Sequence, residues 1–321
     1  MRFLLAAAAA FVLASCAASP DNASFVAGAD GNRLYVRWLG HGGDTVVVLH
    51  GGPALHHGYL LDALRPLARD RTFLFYDQRA RGRSDTVPDT LALSLERDVA
   101  DLEALRLHYQ LEHLTLIGHG WGGGVAARYA LAHPDRVERL ALVSPFFPRA
   151  TFLFGVMVMP YEGPDSAAFA GLTTARLEHL DENDPASFCR RYWGAWLSPI
   201  PVRDAYATRR LAPAVCDAPP AVLGRIERVK ALELQSLGPW DWRPELHGVV
   251  APTLLLQGTG KIWHAAAREW LDRLPQARLV TLAAHPQFPW LDHEREFRAA
   301  LAAFLDGAWP SGAVAADSAR P

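Results

Sequence analysis

An excess of charge of either sign is missing from this chain, with 32 Lys and Arg against 34 Asp and Glu. The formal net charge is −2 across 321 residues, which gives no electrostatic reason to expect nucleic acid as a partner. Cysteine is scarce, at three residues. No H-E-x-x-H or other regular ligand spacing is present, so neither a metal nor a cofactor is expected. Internal repeats, heptad runs and a low-complexity core are also absent, which excludes solenoids and coiled coils. The apolar run Leu4 to Ala14 is too short to span a bilayer comfortably. What is present is an ordinary globular composition, 50% hydrophobic and 21% charged, long enough for one large α/β domain plus an insertion.

The amino terminus reads as a targeting segment. Met1-Arg2-Phe3 is a short basic start, and Leu4 to Ala14 is the apolar centre of a signal peptide. Leu13-Ala14-Ser15-Cys16 resembles a bacterial lipobox, which implies cleavage before Cys16 and lipid on its sulfur; an ordinary secretory signal with an incidental cysteine is the alternative. Two or more acyl chains anchor a protein stably. Ala17, rather than Asp, follows the cysteine and resembles sorting to the outer membrane. The expectation is therefore an envelope lipoprotein facing the periplasm: signal peptide 1–15, tether 16–24, membrane contact through Cys16. An oxidising compartment permits a disulfide between Cys189 and Cys216, but two separate buried thiols fit the sequence equally.

From residue 25, β-rich runs alternate with helical spacing. Strands are predicted at Arg33 to Trp38, Thr45 to Leu49, Phe73 to Tyr76, Leu114 to Ile117 and Val137 to Val143, with a helix over Leu91 to Tyr109. Such alternation implies a mostly parallel sheet with helices on both faces. The rhythm breaks over residues 147–245, which are rich in Trp, Arg and Pro and show helical patterns only. It resumes with a strand at Thr253 to Gln257, a helix near His264 to Arg273, a strand at Ala277 to Leu282 and a helix over Glu294 to Leu305. The predicted architecture is a core of 25–146 and 246–306, an inserted helical lid of 147–245, and a disordered tail of 307–321.

Four segments carry a family resemblance. They are His50-Gly51-Gly52-Pro53 after a strand, Tyr76-Asp77-Gln78-Arg79-Ala80-Arg81-Gly82-Arg83-Ser84, Gly118-His119-Gly120-Trp121-Gly122-Gly123 between a strand and a helix, and Asp241-Trp242-Arg243-Pro244. In that order and context they resemble an α/β-hydrolase fold of the proline iminopeptidase (prolyl aminopeptidase-like) type, over nearly all of residues 25–306. The resemblance implies an oxyanion loop at Gly52, a second backbone donor at Trp121, and a Ser-Asp-His triad.

Each triad position departs from that expectation. The nucleophile position is Gly120, which has no oxygen to activate. A non-glycine residue held in this turn costs about 1–3 kcal/mol of strain, which glycine avoids. The acid position after Thr253 to Gln257 reads Gly258-Thr259-Gly260-Lys261, a cation in place of a carboxylate. The other acid site used in the fold reads Ser144-Pro145-Phe146-Phe147. Aligning Phe288-Pro289-Trp290-Leu291-Asp292 places Gln287 at the histidine, with His285 just upstream as a displaced candidate base. Glutamine is no general base near neutral pH. In the lid, Trp193-Gly194-Ala195-Trp196-Leu197 carries Leu197 where the resemblance implies a glutamate for the substrate's amino terminus.

These losses lead to a pseudoenzyme: an intact frame whose pocket, lined by Trp193, Trp196, Leu197 and Trp290, takes a small apolar or carbonyl-bearing ligand, or whose surface takes a protein partner. The alternative is an active esterase or aminopeptidase with a displaced constellation, in which His119, His50, His56, His57 or His285 activates water. Arg79, Arg81 and Arg83 read as a salt-bridged turn, and Asp77 as a loop brace. Lys261 reads as solvent-facing on its long stem, becoming a ligand-binding cation only if buried beside Gln287.

Overall fold

The structure, a computed structural model, describes residues 22–87, 93–153, 166–197, 211 and 213–316. The signal peptide, Cys16 and residues 317–321 lie outside the described residues, as do the side chains of Trp196 and Leu197.

Eight strands form one sheet in the order β1-β2-β4-β3-β5-β6-β7-β8. They are β1 (Ala23–Ala27), β2 (Arg33–Gly40), β3 (Thr45–Leu49), β4 (Thr72–Tyr76), β5 (Leu114–His119), β6 (Val137–Val143), β7 (Thr253–Gly258) and β8 (Ala277–Leu282). β1 and β2 pair antiparallel with their neighbours, and the rest of the sheet is parallel. The central strands are continuous apolar runs because both of their faces are covered. In β3, Val47 and Leu49 enter one core layer while Val46 and Val48 enter the other. The two-residue period of an extended chain thus feeds both layers from one strand.

The main helices are α1 (Leu95–His108), α2 (Trp121–Ala132), α3 (Ser166–Leu177), α4 (Pro185–Leu197), α5 (Ile226–Leu237), α6 (Lys261–Leu271) and α7 (Glu294–Leu305). α1, α2 and α6 cover one face of the sheet through Leu102, Leu105, Val125, Tyr129 and Trp270. α7 covers the other through Phe297, Leu301 and Phe304. Between β6 and β7 the described elements are helices, and Cys189 of α4 is disulfide-bonded to Cys216.

Three expectations are corrected. Ala23 and Ser24, assigned to a tether, belong to β1, whose pattern hides itself because Val26 is its one buried residue. The helix expected near His264 to Arg273 begins at Lys261 and ends at Leu271. Residues 307–316, expected as a disordered tail, fold back: Trp309 packs on Phe304 and Val314 bridges Leu279. Backbone pairing at one residue organises a stretch whose composition alone looks unstructured.

The chain leaves β3 toward β4 on one side, and β5 lies on the other. This is a switch point, where the carboxyl ends of adjacent parallel strands open into a crevice. Gly51-Gly52 follows β3 and Gly120 follows β5, so both glycine segments meet there.

Candidate active-site cleft

Gly120 turns β5 into α2 with φ 51° and ψ −118°. Its N–H donates to Val143 O at 3.1 Å, and its carbonyl accepts from Phe146 N at 2.7 Å and Gly123 N at 2.9 Å. The turn is therefore fixed against the end of β6 as well as by α2. A Cβ at position 120 would find Gly51 Cα at 3.5 Å and Gly52 N at 4.0 Å and nothing nearer. Space for a side chain remains, and only the backbone conformation resists one. Gly122 is different: a Cβ there would lie 2.5 Å from the carbonyl oxygens of Leu49 and His50. That close approach seats the amino end of α2 against β3 and aims it into the crevice.

The cleft above this turn is lined by Pro53, Leu55, Phe146, Phe147, Leu153, Trp263 and Phe288, with Tyr192, Trp193, Lys230 and Leu234 from the lid side. Gly52, Gly120 and Trp121 contribute to its floor, and His119, Ser144 and Gln287 add polar side chains. The N–H groups of Gly52 and Trp121 have no hydrogen-bond acceptor among the described residues. Trp121 opens α2, so no carbonyl within the helix can accept from it. The indole is held away from the cleft, donating from Nε1 to Asp98 Oδ2 at 2.8 Å.

Two buried donors in the cleft also lack partners among the described residues: Ser144 Oγ and Trp193 Nε1. A buried polar group left unmade costs about 1–3 kcal/mol. Lys230 donates from Nζ to Tyr192 Oη at 3.1 Å. Burial pushes its ammonium down to about 8; the Glu227 carboxylate opposes this and Arg176 adds to it.

Each histidine around the cleft has at least one ring nitrogen committed, while His56 Nε2 and His285 Nε2 are buried without a partner among the described residues. Gly51 N–H donates to Tyr59 Oη at 2.8 Å, and Tyr59 Oη lies 2.5 Å from His119 Nδ1. His119 Nε2 lies 2.7 Å from Gln287 O, a carbonyl that can only accept. The bonding therefore assigns the proton to Nε2, leaving Nδ1 to accept from Tyr59. Burial pushes the His119 imidazolium down to about 4. His285 Nδ1 accepts from Gln287 N and Phe288 N, each at 3.1 Å, and burial with His119 nearby pushes it down to about 4. His50 Nε2 accepts from Gln78 N, and burial pushes this ring down to about 3. His56 Nδ1 accepts from Gly58 N. His57 Nδ1 lies 2.7 Å from Asp77 Oδ1.

Asp77 joins His56 and His57 in a buried group whose potential ligand atoms lie within 4.8 Å of one another. Its oxygens also accept from His57 N and Arg83 N. Burial raises this carboxyl, but the facing His57 outweighs it and holds the group well below the usual carboxylate range. Such bonding is that of a loop brace. Arg79 is bound by Asp30 and Asp101, and Arg81 by Asp98 and Glu233. Arg83 faces Asp217 at an exposed 3.5 Å.

The structure brings Gly52, Gly120, Trp121, Trp193 and Gln287 to one cleft. Lys261 stands after β7 as its place in the chain implies, but it is exposed and does not line the cleft. The lysine that does is Lys230, which sequence reasoning passed over, because one lysine in Ile226–Leu237 looks like any solvated helix position. Trp290, expected in the pocket, sits one layer behind it, packed on Tyr59, His119 and Phe288. His285 does not line the cleft either, and its basic nitrogen caps a turn. Tyr59 is the other residue the sequence gave no reason to single out.

Residues 44–177 match the family model of the α/β-hydrolase fold. The proline iminopeptidase of Heyndrickxia coagulans is 40% identical over 104 residues, 32% of this chain and 36% of its own length. A putative proline iminopeptidase of Mycoplasma pneumoniae is 34% identical over 152 residues, 45% of this chain and 48% of its own. The chain thus spans between a third and a half of the curated relatives it matches. Among solved structures, the proline iminopeptidase of Mycobacterium smegmatis superposes with a TM-score of 0.67 at 20% identity, covering 89% of this chain and 98% of that one. The chain has an α/β-hydrolase fold and is similar in sequence to proline iminopeptidases.

Proposed function

We propose that this chain is a lipid-anchored α/β-hydrolase-fold protein whose cleft binds a ligand without hydrolysing it. Gly120 carries the reading. The turn that in this fold presents a nucleophilic oxygen presents none here, while the backbone donors around it remain. A displaced hydrolase needs an available basic nitrogen in the cleft. His119 has both ring nitrogens bonded, and His285 Nδ1 accepts two backbone N–H groups. Lys261 offers no carboxylate, and Gln287 no base.

In a serine protease of another fold, loss of the whole triad costs about a million-fold in turnover. The purified mature protein is expected to show no turnover of p-nitrophenyl butyrate or of prolyl p-nitroanilide above a heat-treated control. Sustained turnover abolished by a ligand filling the cleft would overturn the reading. The anchor is tested separately: incorporation of a palmitate analogue in a bacterial host is expected in the full chain and lost in Cys16→Ala.

A further inference from the structure

Resting on the lipid anchor proposed at Cys16, the length of chain between that residue and β1 decides which side of the domain meets lipid. Six peptide steps lead from Cys16 to Asn22, a reach of at most about 22 Å at full extension. Asn22 is already fixed to the domain, because its carbonyl accepts from Trp38 N at 3.1 Å. β1 lies at one edge of the eight-stranded sheet and β8 at the other. Strands spaced about 4.8 Å apart separate those edges by about 34 Å. With the β8 edge on the bilayer, Asn22 would therefore stand beyond the reach of Cys16. The β1 side is the one held toward the membrane.

What that side presents fits a lipid surface. Side chains alternate along an extended strand. Val26 turns into the core beside Leu34 and Val36, so Phe25 turns out on the opposite face, 48% exposed. Its ring meets Tyr35 edge-on at 5.6 Å, and the Arg33 guanidinium lies 5.1 Å from its centroid. On the Val26 side, Leu107 of α1 is 59% exposed in a shallow groove shared with Ala27, Ala100 and Ala104. Glu103 lies in that groove too, but its carboxylate is bound to Arg106 and Tyr129. The strand itself, Ala23-Ser24-Phe25-Val26-Ala27, carries neither charge nor proline. Proteins blunt an open sheet edge with such residues or cover it, and here cover is what remains. The charges beside Phe25 and Tyr35 are matched, Arg33 by Asp85 and Arg83 by Asp217. The contact is therefore apolar and needs no anionic lipid. A tether also raises the local concentration of the surface it holds, so a few apolar side chains suffice. We propose that the β1 edge rests on the phospholipid interface, with Phe25 and Leu107 entering it from either side of the strand.

The test places one fluorescent label on the whole lipidated protein, reconstituted in phosphatidylcholine vesicles. With Cys16 acylated and Cys189 joined to Cys216, Phe25→Cys or Leu107→Cys supplies the one free thiol. Leu177→Cys in the lid and Val250→Cys before β7 are exposed controls. Nitroxide-bearing lipid is expected to quench the labels of Phe25→Cys and Leu107→Cys several-fold more than those of the controls. High salt, which screens surface charge, leaves that difference intact. Adding Phe25→Asp lowers quenching of the Leu107→Cys label several-fold, and adding Phe25→Leu preserves it, with palmitate incorporation unchanged in both. Circular dichroism verifies that each variant is folded. Equal quenching at all four sites overturns the inference, as does a difference that salt abolishes. So does efficient crosslinking of two Phe25→Cys copies without quenching, which would assign the edge to a second copy of this chain. The anchor is read separately. Without palmitate on Cys16 the anchor and the docking fall together, whereas palmitate incorporation with uniform quenching defeats the docking alone.

Discussion

Gly120→Ser yields a folded protein with no gain in ester hydrolysis. The side chain fits, since a Cβ at position 120 meets nothing closer than Gly51 Cα at 3.5 Å. What it costs is conformational. At φ 51° and ψ −118° a residue with a side chain is strained, and the expected loss in denaturant unfolding is about 1–3 kcal/mol. The new hydroxyl then has no base. Gln287 lines the cleft without a titratable nitrogen, and His119 is held between Tyr59 and the Gln287 carbonyl. Adding Gln287→His supplies a base from the same cleft, and Lys261→Asp removes a cation from the acid position. The triple variant is expected to exceed Gly120→Ser by about 10²–10⁴ in p-nitrophenyl butyrate hydrolysis, the range a positioned general base contributes. A burst of nitrophenol from the single variant would mean that a base has been misassigned, and mass spectrometry of the trapped acyl adduct would locate it.

Arg81→Met is expected to produce the largest loss of stability. The Arg81 guanidinium is buried and donates to Asp98 Oδ1 at 2.9 Å, Glu233 Oε1 at 2.5 Å and Pro53 O at 2.6 Å. It thus ties α1, α5 of the lid and the loop after β3 into one network. Removing one partner of a buried pair strands the others, at about 3–5 kcal/mol. Urea unfolding monitored by tryptophan fluorescence measures it, and a loss under 1 kcal/mol would sink the account.

Glu233→Gln should be far milder. One guanidinium cannot neutralise two buried carboxylates. Burial, with Asp98 adding to it, pushes the Glu233 carboxyl up to about 8 against the pull of Arg81. The side chain is therefore largely protonated at pH 7, and glutamine imitates that form. Because the folded value is raised, its contribution to stability is fully present below the unfolded value of 4.5 and is lost as pH rises through about 8. Wild-type stability is accordingly expected to fall between about pH 5 and 8 more steeply than that of Glu233→Gln, and to level off above that.

Much of the frame is legible along the chain. Thr45–Leu49, Val137–Val143, Ala277–Leu282 and Glu294–Leu305 are read to the residue, because short Val- and Leu-rich runs and helical spacing are local signals. β1 is not, since an edge strand with one buried residue leaves almost no alternation. The site shows the same division. Gly120 is visible because its absent side chain is a fact of composition at a recognisable turn.

The sequence by itself therefore determined an alternating sheet-and-helix core, a helical interruption and a turn without a nucleophile. Only the tertiary structure decided which cation faces the cleft, Lys230 rather than Lys261, and which tyrosine engages His119. It also joined Cys189 to Cys216 and Arg81 to Glu233. The reason is physical. Backbone periodicity and missing atoms are properties of neighbouring residues, whereas hydrogen bonds, burial and shifted ionisation belong to groups brought together from far apart in the chain.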